Sequence, residues 1–207
     1  MFELVTLGTT DRAASARFYR TVLATLGRTP TQDDDERVAW DDFALQAPGL
    51  PGGEATGVTR GLHLGFGAPS RAHVDAFWRA GVDAGYRSDG EPGPRPQYTP
   101  DYYGAFLRDP DGNSAEAVHR TGMRTDGTID HLWIRVADPA AARDAYADAA
   151  ARAGLRLKTD APDHVQLVGA TGSMSLVPGP PTEHVHVRLR PERWPAPIPP
   201  PQARPSN

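Results

Sequence analysis

The run Asp109-Pro110-Asp111-Gly112-Asn113-Ser114-Ala115-Glu116-Ala117-Val118 holds a chain reversal and the strand that leaves it. Proline fixes one backbone angle, and Gly or Asn tolerates the left-handed one, so the chain turns between Asp109 and Asn113. The apolar segment Gly104-Ala105-Phe106-Leu107 enters the turn, and Ala115-Glu116-Ala117-Val118-His119 leaves it. These read as two antiparallel strands, the second carrying a single carboxylate, Glu116, on one of its faces.

Outward from this turn the chain repeats one pattern: a short apolar strand, an Asp or Ser cap, an amphipathic helix, then further short strands. The first copy begins Leu4-Val5-Thr6-Leu7-Gly8 and continues through Asp11 to Ala14, Phe18, Val22 and Leu26 at helical spacing. The second begins Leu62-His63-Leu64-Gly65-Phe66 and continues through Ser70 to Val74, Phe77, Trp78 and Val82. The third begins His131-Leu132-Trp133-Ile134-Arg135-Val136 and continues through Asp138 to Ala142, Ala145, Tyr146 and Ala149. Aligning the caps Asp11, Ser70 and Asp138 places Phe18, Phe77 and Ala145 in one column, and counting back seven residues gives Leu4, His63 and His131. Two members of that second column can bind metal.

Later strands are expected at residues 37–40 and 43–46, at 86–88, 104–107 and 115–119, and at 156–158, 165–168 and 173–177. The predicted fold class is α+β: paired βαβββ units forming an open, barrel-like sheet with a cleft, plus a third such unit. A unit of ~60 residues is marginal alone, so the units should pair. Residues 1–120 are expected to form a complete two-unit domain, and residues 122–190 an additional degenerate unit after a Gly-rich linker. Glu183-His184-Val185-His186-Val187 resembles the opening strand of a fourth copy. Residues 191–207 are proline-rich with little apolar periodicity, which predicts a disordered tail.

Charge and composition exclude several classes of function. The net charge of -4 comes with no basic cluster, so nucleic acid is not an expected partner. With no cysteine, thiolate chemistry is impossible and the protein must work with oxygen and nitrogen. No basic segment followed by an apolar stretch opens the chain, and no apolar run approaches ~20 residues. The expectation is a cytoplasmic protein with no membrane partner.

The paired units, together with residues 109–118, resemble the vicinal oxygen chelate superfamily of glyoxalase I, bleomycin resistance proteins and extradiol dioxygenases. Residues 7–26, with Asp11, Phe18-Tyr19 and Leu23, look like the family's first strand and helix, and Tyr102-Tyr103-Gly104-Ala105-Phe106 looks like its penultimate strand. The resemblance implies a cleft holding one divalent metal (Fe, Mn, Ni or Zn) on His and Glu side chains. By position, His63 and Glu116 would be ligands, with Glu116 also catalytic. The family's first-strand ligand falls on Leu4, which cannot donate, and Gln46 is the only donor at the end of the first unit.

His63 alternates with Leu62 and Leu64 and so should face the cleft; its role there is either ligand binding or metal ligation. Tyr98, Tyr102 and Tyr103 lie in or just after residues 91–100, a loop expected over the cleft mouth, and suit an aromatic ligand. Trp40 and Phe66 are further candidates to line the cavity, with core packing as the competing reading. His131 and His186 read as half of a second site without a carboxylate, which favours a structural role. The leading functional expectation is a small organic ligand, aromatic or glycosylated, sequestered in the cleft without catalysis. The alternative is a metal-dependent lyase, isomerase or extradiol-type dioxygenase using His63 and Glu116. A third possibility is a protein that only assembles with a partner through its unpaired unit. A homodimer is the assembly that the resemblance implies.

Overall fold

In the computed structural model, which describes residues 1–123 and 127–190, the reversal at residues 109–113 closes around the Asp109 side chain. Its Oδ1 accepts from the backbone N–H groups of Asp111 and Asn113, at 3.0 and 2.8 Å, and Gly112 takes a positive φ of 87°. The Asn113 amide donates to the Thr59 carbonyl and its oxygen accepts from the Leu62 N–H, tying the turn to the start of the second unit. Tyr19 from the first helix donates to Asp109 Oδ2 at 3.0 Å, so one buried carboxylate anchors the turn and the helix.

The first unit comprises β1 (Phe2–Gly8), α1 (Arg12–Ala24), β2 (Gln32–Asp33), β3 (Arg37–Trp40) and β4 (Phe43–Gln46). The second comprises β5 (His63–Gly67), α2 (Arg71–Asp83), β6 (Ser88–Pro94), β7 (Tyr103–Arg108) and β8 (Ser114–His119). The third comprises β9 (Ile129–Val136), α3 (Pro139–Arg152), β10 (Arg156–Ala161), β11 (His164–Val168) and β12 (Ser173–Pro178), and β13 (Val185–Leu189) follows. Each helix begins at the expected cap. Asp11 accepts from the Ala14 N–H and Asp138 from those of Ala140 and Ala141, whereas Ser70 makes no such bond and its hydroxyl meets His73 Nδ1 at 2.8 Å.

The strands form two open sheets, ordered β13-β1-β4-β3-β2 and β10-β11-β12-β9-β5-β8-β7-β6. The opening strand of the third unit lies antiparallel to that of the second, with His63 opposite Trp133 and Gly65 opposite His131. One eight-stranded sheet therefore spans the second and third units, while β13 joins the first unit by pairing with β1. The sheet of the first unit contains no strand of the second. The core that unites them includes Phe18, Tyr19, Phe43, Phe66 and Phe77, and α1 and α2 pack against each other.

The third helix departs from the pattern. Ala145 and Tyr146, in register with Phe18-Tyr19 and Phe77-Trp78, are exposed, and α3 buries only Pro139 and Ala150. α1 and α2 cover each other, whereas α3 packs on β10, β11 and β12 with no comparable helix packing among the described residues, so an aromatic at residue 145 would have little to bury against. The expected tail at residues 191–207 lies outside the described residues.

Candidate metal centre

Period-two alternation sorts the side chains of β5: Leu64 and Phe66 enter the core, while His63 and Gly65 face the concave side of the large sheet. β8 runs parallel beside β5 and places Glu116 next to Gly65, and β9 on the other side places His131 opposite the same glycine. His63 Nε2 lies 2.9 Å from Glu116 Oε2 and 3.3 Å from His131 Nε2, and His131 Nε2 lies 3.2 Å from Glu116 Oε2. Among the described residues this is the one group of three or more His, Asp or Glu side chains whose donor atoms converge in this way.

These spacings fit a divalent ion. Nitrogen and oxygen ligands at about 2.0–2.2 Å from one ion, in tetrahedral or octahedral arrangement, stand about 2.8–3.5 Å from each other. Two histidines and one carboxylate leave positions open for an exogenous ligand. The surroundings also hold each donor in place. Tyr102 donates to Glu116 Oε1 at 2.7 Å, leaving Oε2 toward the histidines. His131 Nδ1 lies 3.0 Å from Asp130 Oδ2, the carboxylate support that metal-bound imidazoles typically have. Asp130 reaches its own neighbour because β9 carries an extra residue there: Gly65 pairs with His131 and Phe66 with Ile129. Arg120 donates to both oxygens of Asp130, at 2.9 and 3.1 Å.

Two glycines make room for this arrangement. A Cβ at Gly65 would fall 2.1 Å from His131 Cε1, and one at Gly104 would fall 2.5 Å from Glu116 Oε1. Electrostatics tighten the cluster. Burial acts to raise the Glu116 pKa, but hydrogen bonds and positive charge from His131 and His63 outweigh it and hold the carboxyl at about 2. Burial acts to lower the His131 pKa, yet hydrogen bonds to Asp130 and Glu116, with the charges of both, raise it to about 9. Burial, followed by the nearby charge of Glu116, pushes the Tyr102 hydroxyl up, which keeps it a donor.

Of the donors, His131 opens onto a cavity of about 480 Å³ whose walls also include Tyr98, Tyr102, Trp133 and His164. The Tyr98 ring lies 5.8 Å from that of Trp133 and 5.0 Å from that of Tyr102. A hollow of about 550 Å³ beside Tyr86, Arg108 and Asp109 lies on the outside of the turn, away from this group of donors.

The residues singled out in the sequence divide cleanly. His63, Glu116, Tyr98 and Tyr102 come together around this cleft. Trp40 and Phe66, expected in the cavity, are at most 1% exposed and pack with Tyr19 and Phe43 in the core, since both lie on the strand face that meets α1. Gln46 binds no metal donor set: its Oε1 accepts from the N–H groups of Glu54 and Ala55 and holds the loop after β4. Tyr103 points away and donates to Asp75 on α2. His119, at the end of β8, is half-buried, and its Nδ1 lies 3.0 Å from the Ala68 carbonyl.

His131 was expected to be structural, and its presence here is the main correction. Leu4 leaves the set one donor short only when the donors are sought in the first and second units alone. The signal was available in the column Leu4, His63, His131, whose two histidines meet when the second unit pairs with the third.

The sequence pattern of the Glyoxalase/Bleomycin resistance protein/Dioxygenase superfamily matches residues 2–117. A glyoxalase/bleomycin resistance protein from Albidiferax ferrireducens T118 is 36% identical, aligning over 58% of this chain and 99% of its own with a TM-score of 0.50. Glyoxalase I from Zea mays is 18% identical over 90% of this chain and 71% of its own, with a TM-score of 0.61, a likeness of fold. No curated protein matches the chain.

Proposed function

The chain belongs to the glyoxalase/bleomycin resistance protein/dioxygenase superfamily, and within it we propose a divalent-metal-dependent enzyme acting on a small, oxygen-bearing organic molecule. The convergence of His63, Glu116 and His131 in an open cleft carries this reading. The ion, one of Fe, Mn, Ni or Zn, would polarise a coordinated oxygen of the substrate. Tyr102 fixes which carboxylate oxygen faces the ion, and Asp130 fixes the ring and tautomer of His131. Tyr98 and Trp133 offer flat apolar walls for the body of the substrate. All three donors come from one chain, so a homodimer is not needed to complete the centre.

Metal analysis of protein purified without chelator tests the proposal. The expected result is about one equivalent of a first-row divalent ion, falling more than about tenfold in His63→Ala and in His131→Ala. Wild-type protein that takes up no metal yet binds small aromatics would replace this reading with sequestration. Loss of metal in His63→Ala but not in His131→Ala would show that the third unit contributes no ligand.

A further inference from the structure

Lys158 is the single lysine among 22 basic residues, and it lines the cavity onto which His131 of the donor group opens. Its neighbour Thr159 lines the cavity too, although successive residues of a regular strand face opposite sides. A bulge reconciles the two. Leu157 pairs with Leu167, but Thr159 pairs with Gln166, so β10 spends two residues where β11 spends one. Leu157 stays opposite a core residue, Thr159 stays opposite Gln166 of the cleft face, and the extra residue, Lys158, turns to the cleft instead of the helix-covered side.

The other charges of the cleft are engaged. Glu116 and Asp130 meet the histidines, and Arg120 is held by Asp130. Among the described residues the Lys158 ammonium has neither a salt bridge nor a hydrogen bond. Among the described residues, Gln97 and Gln166, also on the walls, make no side-chain hydrogen bonds. The end of the cleft opposite the metal donors thus presents one free cation flanked by neutral polar groups.

We propose that Lys158 reads an anionic group on the substrate, a carboxylate or a phosphate, while oxygens at the other end of the molecule meet His63, Glu116 and His131. This specificity rests on the metal-centre reading above. The donors converge over Gly65 of β5, four strands from β10 and about 19 Å across the sheet; a lysine stem of about 6 Å, a hydrogen bond of about 3 Å and a metal–oxygen bond of about 2 Å leave a span of about 8 Å. That span suits a substituted aromatic acid or a short sugar phosphate.

The test uses the full chain loaded with zinc, alongside the Lys158→Gln and His63→Ala variants, with four probes: 1,2-dihydroxybenzene, 3,4-dihydroxybenzoate, benzoate and phenyl phosphate. Reductive methylation with ¹³C marks the one lysine and the Met1 amine as separate signals, keeps their charge, and leaves only the Met1 signal in Lys158→Gln. By calorimetry, 3,4-dihydroxybenzoate should bind about tenfold more tightly than 1,2-dihydroxybenzene, and Lys158→Gln should erase that preference without weakening the neutral probe. The anionic probes should shift the lysine ¹³C signal, and the tighter of benzoate and phenyl phosphate identifies the preferred anion. Equal binding of the two dihydroxy probes, a preference that survives Lys158→Gln, or a lysine ¹³C signal unmoved by every anionic probe overturns the proposal. Failure of the metal reading has a different signature: zinc is not retained and His63→Ala changes nothing, while anionic probes still move the lysine signal.

Discussion

Both sheets are built on the same antiparallel pairing of opening strands, β5 with β9 in one and β1 with β13 in the other, yet among the described residues only one carries a metal-type centre. The registers relate them residue by residue. Thr6 lies opposite His186 and beside Ala44, as Gly65 lies opposite His131 and beside Glu116. Leu4 then stands in the place of His63. The five-stranded sheet keeps one of the three donors, and Leu4 and Ala44 pack with Ala39 as a small apolar cluster. The glycine matters as much as the donors. Gly65 lets the His131 ring lie across it, whereas Thr6 carries a side chain and His186 turns outward, its side chain 43% exposed against 8% for His131. Glu54, from the loop after β4, enters that half instead and accepts from the Thr6 hydroxyl at 2.6 Å. A histidine column is therefore insufficient; the residue facing each histidine decides whether it can turn inward.

The largest effect should come from erasing that difference. Gly65→Ala places a methyl group 2.1–2.7 Å from three atoms of the His131 ring, so the ring must leave the centre. Bound metal should be lost, and overpacking should cost about 1–3 kcal/mol of stability in urea titrations. The reverse change in the other half, Thr6→Gly, should create no metal binding because Leu4 and Ala44 supply no donors. Retention of full metal content by Gly65→Ala would break the argument from packing.

Asp130→Asn should act next most strongly. It preserves size but removes the charge that supports His131 Nδ1, and metal affinity measured by chelator competition should fall about 10–100-fold. The other sheet has no counterpart, since the residue before His186 is Val185.

Removing the metal sharpens the comparison through pH. In metal-free protein the folded-state pKa of His131, about 9, exceeds its ordinary 6.5, so its stabilising contribution is complete below 6.5 and is lost as pH rises through about 9. Glu116 has the opposite sign: its folded value of about 2 lies below 4.5, so its contribution is complete above 4.5 and is lost as pH falls through about 2. The urea midpoint of metal-free protein should therefore decline from pH 6.5 toward 9. That decline should be absent in His131→Ala.

What could be read in the sequence follows from how local each signal is. The repeat, the three helix caps, the turn at residues 109–113 and the inward faces of His63 and Glu116 rest on contacts within a few residues, and they stand in the structure. Which unit pairs with which is a long-range choice, and near-identical opening strands do not encode it in their periodicity. Trp40 and Phe66 were ambiguous for a related reason: alternation gives two faces, but only the position of α1 says which face is core. Asp130 and Lys158 were hidden by bulges, because one extra residue reverses the side on which a strand residue emerges.

The smallest effect belongs to the outer histidine. His186 Nδ1 lies 3.5 Å from Glu54 Oε2 at a half-exposed position, and Glu54 keeps its bonds to Thr6 and Arg188 if the ring is removed. An exposed ion pair of this kind contributes little, so His186→Ala should change stability by less than about 1 kcal/mol. Metal content should stay at the wild-type level, because Glu54 is beside that ring but no third donor joins the two among the described residues. If His186→Ala instead lowered the bound metal as His131→Ala does, the ion would sit in the five-stranded sheet, and the correspondence of Leu4 with His63 would have to be drawn the other way round.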